Sequence, residues 1–128
     1  MLSAVSKYDR PKRSLRFKGL RSDREAFALS LIVGAEYGVC LTELLGRTRG
    51  RLAVAKARQI AIYLVHTYLQ RPQDVVAELF RRDRTTVVHA CQIVEDMRDE
   101  DVLLERTIAR IDRRFRLTCP HAEVDHAA

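Results

Sequence analysis

The sequence contains no tryptophan, and only three of its 128 residues are cysteines. Cys40, Cys91 and Cys119 are odd in number, lie far apart and follow no secretory signal, so we expect no disulfide framework and a reducing, cytoplasmic setting. The histidines and cysteines also lack the spacing of metal ligands, which predicts no metal site. The longest apolar run, residues 26–35, is interrupted by Ser30 and falls short of the ~20 residues that span a bilayer. These absences predict a soluble protein with no membrane partner.

Sequence patterns of enzymes are equally scarce. The chain has no Gly-x-x-x-x-Gly-Lys-Ser/Thr phosphate loop, no nucleophile elbow and no carboxylate pair placed for catalysis. We therefore predict no enzymatic activity, and in particular no ATPase activity. For the same reasons we expect neither a cofactor nor a small-molecule substrate.

Positive charge is what the sequence has in excess, with 23 Lys and Arg residues against 17 Asp and Glu residues and a net charge of +6. This balance favours an anionic partner, although charge alone does not separate DNA from RNA or from an acidic membrane. Residues 1–21 are strongly basic and are interrupted by Pro11 and Gly19. We predict a flexible basic arm over residues 1–21, which is either a solvated leader or a nonspecific arm that contacts phosphates.

Helical periodicity runs through most of the remaining chain. The stretch Ser22-Asp23-Arg24-Glu25 fits a capping box, and the helix after it has a predicted apolar face formed by Phe27, Leu31 and Ala35, with Ala28 and Ile32 beside them. Further helices are predicted over residues 41–45, 52–69, 72–80, 84–98 and 101–117. Hydrophobic residues make up 47% of the sequence, which is enough for one core. The sequence thus predicts an all-α domain of about six helices over residues 22–117 and a flexible tail over residues 118–128.

Residues 72–98 predict two helices joined by a tight, basic turn, which is a helix-turn-helix. Pro72 stands at a favoured first position of the first helix. Asp83 stands where an N-cap side chain would accept from the amide of Thr85 or Thr86 at the start of the second. One stripe of the second helix must face a core, because its apolar residues recur at steps of three and four: Val87, Ala90, Cys91 and Val94.

The second helix begins with the run RDRTTVVHAC at residues 82–91. This run closely resembles the signature of the C-terminal DNA-binding domain of the bacterial replication initiator DnaA, which is Gly-Gly-Arg-Asp-His-Thr-Thr-Val, an apolar residue and His-Ala. Upstream, the run AKARQIAIYL at residues 55–64 looks like the long helix of that family. The resemblance covers roughly residues 26–115, and two linked motifs make it more specific than a generic helix-turn-helix. It implies an all-α, Trp repressor-like fold.

The resemblance also implies a role for each matching residue of the second helix. In the family, the residues at Asp83, Arg84 and Thr85 read bases, and those at Thr86 and His89 hold phosphate. The side chains suit these roles in a major groove. Arginine bonds guanine O6 and N7, a carboxylate accepts from cytosine N4, and threonine offers a methyl group to thymine.

A loop with three arginines, Arg47-Thr48-Arg49-Gly50-Arg51, precedes the long helix. Such a loop can lay arginines into a narrow minor groove, and the corresponding loop of the family does so. Because the loop is one residue longer here, either Arg49 or Arg51 would take the inserted role. The rest of the predicted DNA-binding set is Lys56, Arg58, Gln59, Arg81 and Arg82, of which Arg58 and Gln59 match family positions that contact the DNA backbone.

The sequence departs from the family pattern at three places. Arg84 replaces a histidine, Arg81 replaces a turn glycine, and Gln73-Asp74 replaces Leu-Pro at the start of the first motif helix. An arginine reaches farther than a histidine, so the preferred DNA sequence is expected to differ from the usual DnaA box. A turn without glycine is expected to tilt the second helix.

The leading hypothesis is a stand-alone domain that binds double-stranded DNA at DnaA-box-like sites and modulates replication initiation or transcription in the cytoplasm, at the nucleoid. The alternative is a protein interaction module that docks on the replication initiator through an acidic patch near residues 95–105 or through the last helix. A third hypothesis is a nonspecific DNA or RNA binder. The acidic patch should point away from a duplex, because it would repel phosphates. The leading hypothesis requires the start of the second motif helix to be exposed and to lie beside the arginine loop.

Overall fold

The path of the chain is given by a computed structural model that describes residues 16–47 and 51–125. Within these ranges the secondary structure is entirely helical, as expected for an all-α fold. Seven helices are described, one more than predicted: α1 (Arg16–Arg21), α2 (Arg24–Tyr37), α3 (Leu41–Leu44), α4 (Leu52–Thr67), α5 (Gln73–Phe80), α6 (Arg84–Glu100) and α7 (Val102–Thr118). None of these helices is long and apolar enough to cross a membrane.

Helix α4 forms the centre of the domain and packs mainly against α2 and α6. Its predicted inner side is confirmed, since the residues of that side are all buried: Ala57, Ile60, Ala61, Leu64 and Tyr68. The predicted stripe of α6 is confirmed as well, with Val87, Ala90 and Val94 buried and Cys91 half-buried. Because α4 and α6 pack against each other, the core fixes which side of α6 points outward.

The ends of α2 are set by local chemistry. Asp23 accepts from the amide of Ala26 at 3.1 Å, which caps the first turn. Gly38 ends the helix with a φ of 67°, a conformation that glycine adopts without steric cost. Four residues earlier, a side chain at Gly34 would collide with the carbonyl oxygen of Val39, so the chain can turn into α3 only with glycine there.

The predicted apolar face of α2 was wrong for its three central residues, although Ile32 beside them is buried and Ala28 packs against the core. Leu31 is 44% exposed and Ala35 is exposed, while Phe27 is only partly buried. The face that enters the core consists of Ala26, Leu29, Ile32 and Val33. Almost every position between residues 26 and 35 is apolar or small, so periodicity does not single out one side. Contacts with α4 and α7 make the choice.

The predicted basic arm was wrong for residues 16–21. These residues form α1, which packs against α2 and α5, and the side chain of Leu20 is fully buried. Gly19 lies inside this helix and does not interrupt it. One apolar side chain with a place in the core outweighs the charge of its neighbours, because its burial stabilises the helix against the entropy of ordering it. Residues 1–15 lie outside the described residues.

The predicted flexible tail was wrong for residues 118–125. Thr118 is the last residue of α7, and Ala122 and Val124 pack against the core. The amide of Asp125 donates to the carbonyl oxygen of Tyr68 at 2.9 Å, which ties the segment to the end of α4. Residues 126–128 lie outside the described residues.

Candidate nucleic-acid interface

Helices α5 and α6 form the helix-turn-helix, and three residues join them. The first, Arg81, has a left-handed backbone with a φ of 58°. The turn is closed by hydrogen bonds from the amide of Arg81 to the carbonyl of Glu78 at 3.2 Å and from the amide of Arg82 to that of Ala77 at 2.9 Å. An L-residue in this conformation carries a steric cost that glycine would avoid. The turn therefore keeps the geometry of a glycine turn with an arginine in that place.

The start of α6 projects into solvent. Asp83, Arg84, Thr85, Thr86 and His89 are all exposed, so the structure brings the five predicted groove and phosphate residues together on an open surface. Val87 and Ala90, the first two residues of the buried stripe, pack into the core on the opposite side of this end of the helix. The start of α6 is therefore available to a partner.

The predicted side-chain cap by Asp83 was wrong. Asp83 occupies the N-cap position, but its carboxylate makes no capping hydrogen bond. The amides of Thr86 and Val87 donate instead to the Asp83 carbonyl oxygen, at 3.0 and 3.2 Å, as the first bonds of the helix. The carboxylate is consequently exposed. The amides of Arg84 and Thr85, which have no partner inside the helix, receive no side-chain cap from Asp83.

The arginine loop begins and ends close to the short helix α3. Arg47 is exposed at one end of the loop, and Arg51 is the exposed N-cap of α4 at the other; Arg49 lies outside the described residues. The guanidinium of Arg51 donates from Nη2 to both carboxylate oxygens of Glu43, at 3.0 and 3.2 Å. The amide of Cys40 also donates to Glu43, and together these donors lower the pKa of that carboxyl below its ordinary value. Arg51 is thus engaged by a partner within the protein.

Two further arginines hold the end of α3, and we call Arg58 and Arg82 the arginine latch. Arg58 is only 8% exposed and donates from Nε to the carbonyl of Leu44 at 2.7 Å and from Nη2 to that of Glu43 at 2.8 Å. Arg82 donates from Nη2 to the carbonyl of Gly46. Burial and the neighbouring charge of Arg82 lower the pKa of Arg58. The latch supplies donors to the carbonyls at the C-terminal end of α3 and ties the turn of the helix-turn-helix to Gly46, which precedes the arginine loop.

The latch is the part of the site that sequence reasoning missed. Arg58 was predicted as a contact to the DNA backbone, but it lies beneath the loop with its donors turned to protein carbonyls. A signal was present in the sequence. Arg58 stands four residues after Val54 and three before Ala61, within the buried stripe of α4, where a solvent-facing arginine does not fit. Lys56 and Gln59, by contrast, are partly exposed on the flank of the same helix.

The described end of the arginine loop and the start of α6 line one cleft. Its lining consists of Arg47 from the loop, Arg81, Arg82 and Asp83 from the turn, and Thr86 from α6. Nη1 of Arg81, one of these lining residues, is buried and has no hydrogen-bond partner among the residues that the structure describes. The start of α6 and the described end of the arginine loop therefore lie side by side.

A match to a family model is consistent with this geometry. The model describes the bacterial DnaA protein helix-turn-helix and covers residues 29–94, from α2 to the middle of α6. The chain belongs to this family.

The chromosomal replication initiator DnaA of three bacteria illustrates the similarity. The Synechococcus sp. (strain JA-2-3B'a(2-13)) protein is 30% identical over 87 residues, which are 67% of this chain and 18% of that protein. The Mesorhizobium japonicum protein is 36% identical over 83 residues, 64% of this chain and 17% of that protein. The Caulobacter vibrioides (strain NA1000 / CB15N) protein is 36% identical over 81 residues, 62% and 16% respectively. The chain thus spans less than a fifth of the length of these relatives.

Two of the departures from the DnaA pattern contact each other. Nε of Arg84, the first residue of α6, donates to Oε1 of Gln73, the first residue of α5, at 3.3 Å. The sequence did not indicate that Gln73 belongs to the site. Helical periodicity relates residues within one helix, and it therefore gives no reason to expect a contact between the starts of α5 and α6. The third departure, Arg81, forms the left-handed turn described above.

The acidic patch lies at the far end of α6 and the start of α7, and two of its carboxylates have partners within the protein. Arg98 donates to both carboxylate oxygens of Glu105, from Nε and from Nη2, the latter at 2.9 Å. The hydroxyl of Tyr63 donates to Glu95 at 2.9 Å. Arg98 lies 14 residues after Arg84, which in a helix is a distance of about 21 Å. The patch is therefore remote from the start of α6.

Proposed function

We propose that this domain binds double-stranded DNA sequence-specifically, at sites similar to DnaA boxes, and thereby modulates replication initiation or transcription at the nucleoid. The observation that carries the proposal is the cleft in which the arginine loop meets the exposed start of α6. A helix start with uncapped amides attracts phosphate, and the side chains around it can reach base edges. No phosphate-loop pattern occurs in these 128 residues, so the proposed binding involves no nucleotide hydrolysis here.

The start of α6 is assigned to the major groove. Asp83, Arg84 and Thr85 face outward from the first turn and carry the donor, acceptor and methyl groups that distinguish base pairs. Thr86 and His89 lie on the same exposed end and are assigned to phosphate. Because the carboxylate of Asp83 makes no cap bond, it is available to accept from cytosine N4.

The arginine loop is assigned to the adjacent minor groove. The contact of Arg51 with Glu43 favours Arg49 over Arg51 for the inserted role. Arg47 and Arg81 flank the cleft, and Lys56 and Gln59 lie on the flank of α4, where they are assigned to the DNA backbone. Phosphate contacts of this kind fix the position of a protein on the duplex without reading sequence.

The arginine latch is assigned a positioning role. Arg58 and Arg82 donate to carbonyls of the protein, so they fix the separation between the loop and the recognition helix. We therefore replace the predicted backbone contact of Arg58 with this role.

Selection of bound duplexes from a random pool tests the proposal. A box-like consensus is expected, together with a logarithmic salt slope of about −4.5 if five phosphates are neutralised. Arg84→Ala should lose about 1 to 3 kcal/mol of discrimination at one base position. Arg106→Ala is the matched control, because Arg106 is exposed beside Glu105 and far from the start of α6. Recovery of random sequences would refute sequence-specific binding and leave the nonspecific hypothesis.

A second candidate function is docking on the replication initiator. Val102 and Leu103, at the junction of α6 and α7, are 68% and 67% exposed, and they follow the acidic residues Asp99, Glu100 and Asp101. An apolar pair with an acidic border suits a protein surface with a basic rim. Capture of purified initiator after nuclease treatment, abolished by a Val102→Ser and Leu103→Ser double variant, would support this candidate. Equal capture by the double variant would contradict it.

A further inference from the structure

Gln73 and Arg84 bring the first residues of the two motif helices into contact. The two positions are 11 residues apart in sequence, and the bond joins Nε of the guanidinium to the amide oxygen of the glutamine at 3.3 Å. Both are positions at which the chain departs from the family signature. The inference that follows rests on the proposed DNA-binding function and concerns how its sequence preference is set.

The bond occupies one side of the guanidinium and leaves the other side open. Among the residues that the structure describes, no acceptor engages the terminal nitrogens of Arg84, Nη1 and Nη2. The bond to Nε limits the orientations of the guanidinium, and the Nη1–Nη2 edge keeps its donors for another acceptor. Arginine has many rotamers in solution, so a side chain held in advance loses less entropy when it binds.

An amide is a suitable partner for this purpose. A carboxylate would accept from Nε as well, but it would cancel the positive charge that attracts DNA. The exposed carboxylate of Asp83 is adjacent in sequence, yet it makes no hydrogen bond to Arg84. The arginine is thus oriented by a neutral group and keeps its full charge.

The open edge has a definite complement in the major groove. Guanine presents two acceptors, O6 and N7, at a spacing that matches a pair of guanidinium N–H groups, whereas no other base presents two acceptors on that edge. We propose that Gln73 is a positioning residue that acts through Arg84 and sets a preference for guanine at one base pair of the bound site.

The test measures discrimination rather than affinity. The consensus duplex and the three duplexes altered at the base pair that Arg84→Ala relaxes are titrated with each variant. Gln73→Met keeps the length of the side chain and removes the acceptor, so it should lower the preference for guanine about 3- to 10-fold. Gln73→Glu restores an acceptor and should retain the preference, although its charge lowers affinity for all four duplexes. Gln92→Met makes the same chemical change two turns farther along α6 and should leave the preference unchanged.

The double variant decides whether Gln73 acts through Arg84. In the Arg84→Ala background, Gln73→Met should change the relative affinities of the four duplexes less than twofold, because the residue it positions is gone. An equal loss in both backgrounds, or no loss with Gln73→Met alone, would overturn the inference while leaving the proposed function intact. Equal binding of all four duplexes and of unrelated DNA by the unmodified protein would overturn the proposed function instead.

Discussion

Substitution of Arg58, the buried arginine of the latch, measures how strongly the latch stabilises the domain. Arg58→Met keeps most of the aliphatic volume and removes the donors to the carbonyls of Leu44 and Glu43. The Glu43 oxygen keeps the amide of Gly46 at 3.2 Å, so the larger loss falls on Leu44. A hydrogen bond from a charged group contributes about 1.5 to 3 kcal/mol, and removal of a buried charge recovers part of its desolvation cost. We expect the free energy of unfolding to fall by about 2 kcal/mol.

Urea unfolding followed by circular dichroism measures this change, provided that the dependence on urea keeps its slope. Arg106→Met is the matched control, because it removes an exposed arginine from α7, and it should change the free energy by less than about 0.5 kcal/mol. Arg58→Lys keeps the charge but not the two-pronged geometry and should fall between the two. If Arg58→Met unfolds at the same urea concentration as Arg106→Met, the latch does not stabilise the domain and the reasoning fails.

Three other substitutions test separate features. Arg81→Gly removes the steric cost of the left-handed backbone but increases the conformational entropy of the unfolded chain. The net effect should be a rise of about 0.5 to 1 kcal/mol in the free energy of unfolding, and an unchanged urea midpoint would argue against strain at this residue. Leu20→Ala should cost about 3 kcal/mol in the same assay, whereas a flexible arm would tolerate it without effect. Burial acts to raise the pKa of Asp23, but hydrogen bonds from Arg71 and from the amide of Ala26 outweigh it, so the pKa is lowered. A lowered carboxyl pKa stabilises the fold above the unfolded value near 4 and loses that contribution as the pH falls below it. Asp23→Asn should therefore flatten the decline of stability below about pH 4, and an identical acid profile would contradict this assignment.

The helix-turn-helix could be predicted from the sequence because its signals are local. The stripe of Val87, Ala90 and Val94 and the short basic turn lie within a few residues of one another, and the structure confirms both the stripe and the exposure of Arg84. The first half of α4 shows a similar contrast, since Ala57 is buried between Lys56 and Gln59, which are partly exposed, whereas residues 60–65 are apolar and buried on every side. A clear contrast along one element is enough to assign its faces.

The features that could not be predicted depend on contacts between distant parts of the chain. Arg58 reaches a carbonyl 14 residues away, and Arg82 reaches one 36 residues away. A sequence pattern can show that an arginine is present, but not whether its donors meet phosphate or a protein carbonyl. The prediction of the buried face of α2 was wrong for a related reason, because a helix that is apolar on nearly every side is oriented by the helices that pack against it.

Some of the arginines predicted to contact DNA are bound within the protein, and this has a consequence for the proposed DNA binding. Of the basic residues predicted to contact DNA, Arg51, Arg58 and Arg82 are engaged by acceptors of the protein. Through these bonds Gly46 is held to the turn and Arg51 to Glu43, so the proposed minor-groove and major-groove contacts would be made at a fixed separation. Two contacts held at the right separation bind far more tightly than either alone, because the second is made at a high effective concentration. Opening the latch should therefore lower affinity through the loss of this coupling, even though no side chain that touches DNA has been removed.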